Sequence, residues 1–195
     1  MNKALKVIII SIVVILAIIL GIYIIQKLAP FASNVTTDIK NNLPKSGTDD
    51  FSIYVPKGWT EVKTLPGISL MAVNNKEESA DPAAKKINFR TYLAVSYDTL
   101  NNRTLSEYIQ YIKNSLEQTA PDAVYSNERS GKINDKDAYF IEADVYQQGV
   151  NVKALLVFIL GKDKDIWTIS LNTTKLEWDT YSDLFSQIAN SFEVK

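Results

Sequence analysis

Hydrophobic residues follow three regimes along this chain. From Val7 to Ile25 they run unbroken, nineteen residues without a charge (VIIISIVVILAIILGIYII). Residues 28–50, LAPFASNVTTDIKNNLPKSGTDD, hold no sustained period and are rich in Asn, Thr, Asp, Pro and Gly. From Phe51 onward the pattern switches between a period of 2 and a period near 3.6, the marks of strands and amphipathic helices.

Alternation and β-branched content predict strands at Phe51–Val55, Ile68–Val73, Ile87–Tyr97, Val124–Ile133, Ala138–Gln147, Val152–Leu160 and Ile166–Asn172. The polar stretch Asn74–Lys86 reads as a loop. Short connectors at Asn134-Asp135-Lys136, Gln148–Asn151 and Gly161–Asp165 allow only antiparallel neighbours, because a parallel crossover needs about a dozen residues. ALLVFIL, Ala154–Leu160, is apolar at every position and is expected to be covered on both faces. Thr104-Leu-Ser-Glu107 is a capping box, and Leu105, Tyr108, Ile109, Ile112 and Leu116 follow at helical spacing, which predicts a helix over Leu105–Thr119. A second box, Thr174-Lys-Leu-Glu177, opens another helix with an apolar stripe of Leu176, Tyr181, Leu184, Phe185, Ile188 and Phe192. The expected fold is α+β: a twisted antiparallel sheet with two amphipathic helices packed on it, preceded by one N-terminal transmembrane helix.

The opening segment sets the expected setting. Nineteen helical residues at ~1.5 Å each reach roughly 28 Å, about the hydrocarbon thickness of a bilayer. The apolar core exceeds that of a cleaved signal peptide, and KLAPFASN offers no clean small-x-small site. No polar stripe marks it as a buried core helix. The chain therefore divides into an anchor (1–27), a linker (28–50) and a domain (51–195) expected to fold alone as a monomer. Lys3 and Lys6 precede the span and only Lys27 follows closely, which places the N-terminus in the cytoplasm and the domain outside the cell membrane.

Composition then narrows the chemistry. Beyond the anchor, 18 basic residues face 22 acidic ones, so the basic excess of a nucleic-acid binder is missing. The chain has no cysteine and no histidine. That removes thiol nucleophiles, disulfides, Cys/His zinc sites and histidine triads. No G-x-S-x-G, S-x-x-K, G-x-G-x-x-G or P-loop occurs. Carboxylate chemistry and oxygen-ligated cations are what survive. Glu142 and Asp144 lie at i, i+2 and share one strand face; Glu77 and Glu78 are the other adjacent acids. Either pair would serve a carboxylate-dependent hydrolase of envelope glycans or peptides, provided a cleft raised one pKa. A solvated strand face is the simpler reading of Glu142 and Asp144. Asp163 and Asp165 lack the remainder of a calcium loop and read as a charged hairpin turn. The Ala80-Asp81-Pro82 loop with Lys85-Lys86 reads as a solvated excursion. Some of Tyr92, Tyr97, Tyr108, Tyr111, Tyr125, Tyr139 and Tyr146 are expected to face outward and support protein or glycan contact. Three Asn-x-Thr sequons, at Asn34, Asn102 and Asn172, are common by chance in a chain this rich in both residues.

FSIYVPKGW, AYFIEADVYQQGVNVKALLVFIL and WTISLNTT…YSDLFSQIANSFEV together resemble the PsbP-like superfamily. That grouping includes photosystem accessory proteins, bacterial DcrB-type proteins and Mog-type Ran-binding proteins. The resembled pattern is a strand entering Pro-x-Gly-Trp, then late strands, then a helix ending in Ser-Phe-x-Val, over roughly residues 50–195. The superfamily has no shared active site to carry over, so no residue is assigned as catalytic, cofactor-binding or metal-ligating. The resemblance implies an exported, non-catalytic binding or assembly module in the cell envelope. Its expected partners are the lipid bilayer through Val7–Ile25 and an envelope protein.

Overall fold

The computed structural model describes residues 45–64 and 67–195. The expected anchor Val7–Ile25 lies outside them, as does all of the expected linker before Lys45. Among the described residues, no helix is long and apolar enough to cross a membrane.

Ten strands and three α-helices make up the described chain. The strands are β1 (Lys45–Gly47), β2 (Phe51–Tyr54), β3 (Thr60–Glu61), β4 (Ile68–Val73), β5 (Tyr92–Thr99), β6 (Val124–Ile133), β7 (Lys136–Gln147), β8 (Val150–Leu160), β9 (Asp165–Thr174) and β10 (Glu193–Val194). The helices are α1 (Pro82–Lys86), α2 (Leu105–Glu117) and α3 (Trp178–Asn190). Seven strands form one sheet in the order β3-β4-β5-β9-β8-β7-β6, and β1-β2-β10 form a second. Every pairing is antiparallel.

The β6-β7 and β7-β8 turns each use two residues at positive φ, Asn134-Asp135 and Gln148-Gly149. That is the backbone twist a tight hairpin needs. The expected meander is therefore present, with β7, β8 and β9 slightly longer at their ends than the alternation alone marked.

Between its edge strands β3 and β6, the large sheet is buried on both faces. On one face, Leu93, Val95, Ile169, Leu171, Leu155, Val157 and Phe140 meet the small sheet and α3 through Phe51, Ile53, Phe185, Ile188 and Phe192. On the other, α2 lays Tyr108, Ile109, Ile112 and Leu116 over Ile141, Ala143, Val145, Leu156 and Phe158. Beside α2, Ala84 and Phe89 close over Met71, Val73, Tyr92 and Ala94. From Ala154 to Ile159, β8 is buried at every position, which is why that stretch can dispense with polar residues. Each fully buried large side chain contributes roughly 1.5–3 kcal/mol.

Three sequence expectations change. Residues 87–91 are not strand: Asp81 caps α1 by accepting from the Ala83 and Ala84 N–H groups, Pro82 starts the helix, and β5 begins only at Tyr92. Lys45–Gly47, from the stretch read as linker, pairs with β2. Leu176 does not join the α3 stripe. It sits in a 3-10 turn, Lys175–Glu177, and is 67% exposed.

Candidate functional site

Strand β7 points alternate side chains at opposite faces. Ala138 and Phe140 enter the core beneath α3, and Glu142, Asp144 and Tyr146 continue that face towards the end of the strand. Cross-strand register places Val124, Asp144, Lys153 and Thr173 in one row over four strands. Lys153 does not bond its direct neighbour Asp144. Its ammonium reaches diagonally to Glu142 at 2.8 Å and lies 4.6 Å from the centre of the Trp178 ring. Asp144 is held instead by Lys175 from the 3-10 turn, at 2.6 Å. Each carboxylate thus has its own lysine. A general acid/base pair needs two environments that push the acids apart, and here both are matched with a cation.

Glu77 and Glu78 are separated by burial. Glu78 is exposed, whereas Glu77 is buried and, among the described residues, has no lysine or arginine bonded to it. Glu77 accepts from the Thr91 N–H and from the Thr91 hydroxyl, the latter at 2.6 Å. The Thr91 hydroxyl also meets that of Thr173 at 2.8 Å. Tyr181 stands against the same carboxylate and accepts from Asn74 Nδ2 at 3.0 Å. Burial first, then the bond to Glu77, pushes the Tyr181 hydroxyl up to about 12. The Glu77 carboxylate is consumed in pinning the 74–80 segment to Thr91, the residue before β5, and to Tyr181 of α3, with Thr91 in turn meeting Thr173 of β9.

The remaining candidates fall into structural roles. Asp163 sits at positive φ in the β8-β9 turn, as its turn chemistry implies, and Asp165 accepts from the Tyr97 hydroxyl at 2.6 Å. No group of three or more potential metal-ligating acids converges among the described residues. Asn172 is fully buried, so that sequon is sealed in the fold, and Asn102 is exposed. Asp98, on β5, accepts from Tyr108 of α2 at 2.9 Å. Burial raises the Asp98 pKa against the lowering effect of its hydrogen bonds, and raises that of Tyr108 as well.

One surface is left unspent. Among the described residues, the exposed large apolar side chains are Tyr97, Val124, Tyr146 and Leu176, and the last three gather around the Asp144–Lys175 pair. Val124 lies directly across from Asp144, Tyr146 follows it by two residues on the same face, and Leu176 adjoins Lys175. The tyrosine expectation pointed to Tyr146. Val124 and Leu176 were missed, because their alternation and helical spacing match those of core residues.

Residues 45–194 match the family model for PsbP. Among solved structures, the fold is similar to cyanobacterial PsbP (CyanoP) from Synechocystis sp. PCC 6803, at 18% identity and a TM-score of 0.61, covering 85% of this chain and 99% of that one. It is similar to LpqN of Mycobacterium tuberculosis, described as involved in cell envelope biogenesis, at 16% identity and a TM-score of 0.55, covering 82% and 90%. It is also similar to the Ran-binding protein Mog1p of Saccharomyces cerevisiae, at 16% identity and a TM-score of 0.51, covering 78% and 96%. No curated protein matches the sequence.

Proposed function

The chain belongs to the PsbP family, and on that premise we propose that it is a non-catalytic binding or assembly module of the cell envelope. Val7–Ile25 holds it in the membrane with residues 51–195 outside, and it engages a protein partner through Val124, Tyr146 and Leu176. The observation carrying this reading is the convergence of those three exposed side chains on one neutralised ion pair. Exposed aromatic and aliphatic groups with few free charges are what a protein interface centre requires. The fold supports it through LpqN, described by its role in envelope biogenesis, and Mog1p, described as binding a protein. The carboxylate-dependent hydrolase is the weaker reading, since Glu142 and Asp144 are each matched with a lysine and Glu77 serves as a buried pin.

A photo-crosslinking residue at Tyr146 or Leu176 in intact cells tests the interface. The expected result is one discrete adduct that disappears on Leu176→Asp and is absent when the crosslinker replaces Ser130, on the exposed edge strand β6. Adducts of equal intensity at Ser130, or none at either apolar position, would overturn the assignment. Protease added to right-side-out vesicles tests the topology separately: the domain is expected to be removed, and full protection would reverse the orientation.

A further inference from the structure

A groove of about 440 Å³ opens at the opposite end of the strands, where the small sheet meets the ends of β5 and β9. Its size is that of sites for small molecules, roughly 300–1,000 Å³. Tyr97, Trp167, Asp165, Asp50, Lys162 and Lys195 give it its chemistry. Tyr97 is 41% exposed yet fixed in place. Its hydroxyl donates to Asp165 at 2.6 Å, and its ring stands edge-to-face on Trp167 with centroids 5.0 Å apart. An exposed aromatic ring locked by two neighbours is a prepared platform, because little side-chain entropy remains to be lost on binding.

The charges around that platform select the ligand. Lys162 donates to the main-chain oxygen of Lys195 at 2.7 Å, and the Lys195 ammonium donates to the main-chain oxygen of Thr48 at 2.7 Å. Both ammonium groups are tied to the protein, and an anion would also face Asp50 and Asp165. A cation would meet Lys162 and Lys195. What fits is an uncharged ligand with an apolar C–H face for the ring and hydroxyls that donate to carboxylates. We propose that this groove binds a neutral saccharide, with one pyranose face on Tyr97 and hydroxyls donating to Asp165 and Asp50. The site stands apart from the Val124, Tyr146 and Leu176 patch and does not depend on it.

The test uses the full chain in detergent, with chitotetraose and maltotetraose as probes followed by saturation-transfer NMR and tryptophan fluorescence. Polygalacturonate, spermidine and an unstructured Gly-Ser-Thr peptide serve as comparison ligands. At least one neutral oligosaccharide is expected to bind, with Tyr97→Ala weakening it about tenfold or more and Tyr97→Phe, which keeps the ring, weakening it about threefold. Tyr146→Ala, at the other end of the strands, should bind as the unaltered chain does. Circular dichroism checks that Tyr97→Ala keeps the fold; if it does not, Asp165→Asn carries the test, with a loss of about threefold or more expected. No binding of either neutral probe at about 10 mM would overturn the proposal, as would undiminished binding by the folded variants. Tighter binding of a charged probe or of the peptide would reassign the groove.

Discussion

Glu177 and Ser79, 98 residues apart in sequence, are joined by a 2.9 Å hydrogen bond from the Ser79 hydroxyl to the Glu177 carboxylate. The other Glu177 oxygen accepts from the Ala80 N–H at 2.8 Å, and the Thr174 hydroxyl donates to the same carboxylate at 2.7 Å. The residue that opens the last helix therefore also clamps the excursion between β4 and α1. Glu177→Ala is expected to cost about 1–2 kcal/mol, because three donors lose a charged acceptor at a partly solvated site. Hydrogen exchange should speed up locally at residues 79–86. An effect spread evenly over the fold would contradict the clamp.

The neighbouring glutamates should separate sharply. Glu77→Ala strands the buried Thr91 N–H, leaves the Thr91 hydroxyl with Thr173 alone, and is expected to cost about 2 kcal/mol. Glu78→Ala, at an exposed position, should stay within about 0.5 kcal/mol. Urea unfolding of the two variants decides it, and equal midpoints would refute the buried pin.

Leu176 and Phe185 both fit the helical stripe, yet only Phe185 is buried. Phe185→Ala is expected to lose about 3–5 kcal/mol. Leu176→Ala should change stability by less than about 0.5 kcal/mol, as expected of an exposed side chain. A large thermal destabilisation by Leu176→Ala would put that side chain back in the core.

Asp98 should give stability an unusual pH dependence. Burial raises its pKa in the folded chain, so its contribution is fully present below the unfolded carboxylate value near 4 and is lost as pH rises through the folded value. Glu128 has the opposite sign. Its bonds from Lys113, and then Tyr139, lower its pKa, so its stabilisation holds above the unfolded value and fades as pH falls. Asp98→Asn retains an acceptor for the Thr99 N–H while removing the buried charge. The melting-temperature gain of this variant over the unaltered chain is expected to grow from pH 4 to 7, and a gain that shrinks over that range would show the charge to be favourable.

The two capping boxes show how far local pattern reaches. At Thr104 and Glu107 both halves close: the Glu107 N–H donates to the Thr104 hydroxyl at 3.2 Å, and the Thr104 N–H donates to the Glu107 carboxylate at 2.7 Å. The same spacing at Thr174 and Glu177 closes only the hydroxyl half, and there the carboxylate accepts from Ser79, Ala80 and the Thr174 hydroxyl. Similarly, the alternation of Ile87–Tyr97 includes residues 87–91, which form the exit from the short helix that Asp81 and Pro82 start, with the Asn88 and Phe89 N–H groups donating back to Lys85 and Ala84.

What the sequence alone determined is the antiparallel meander from β6 to β9, the helix at Leu105, the twice-covered strand at Ala154–Leu160 and the absence of thiol and imidazole chemistry. These follow from periods, caps and composition, which act over a few residues. Which acid takes which lysine, which of two adjacent glutamates is buried, and which stripe residues stay in solvent were decided only by the tertiary structure. Those outcomes depend on donors and packing partners brought within a few ångströms from distant parts of the chain, and no local period encodes such distances.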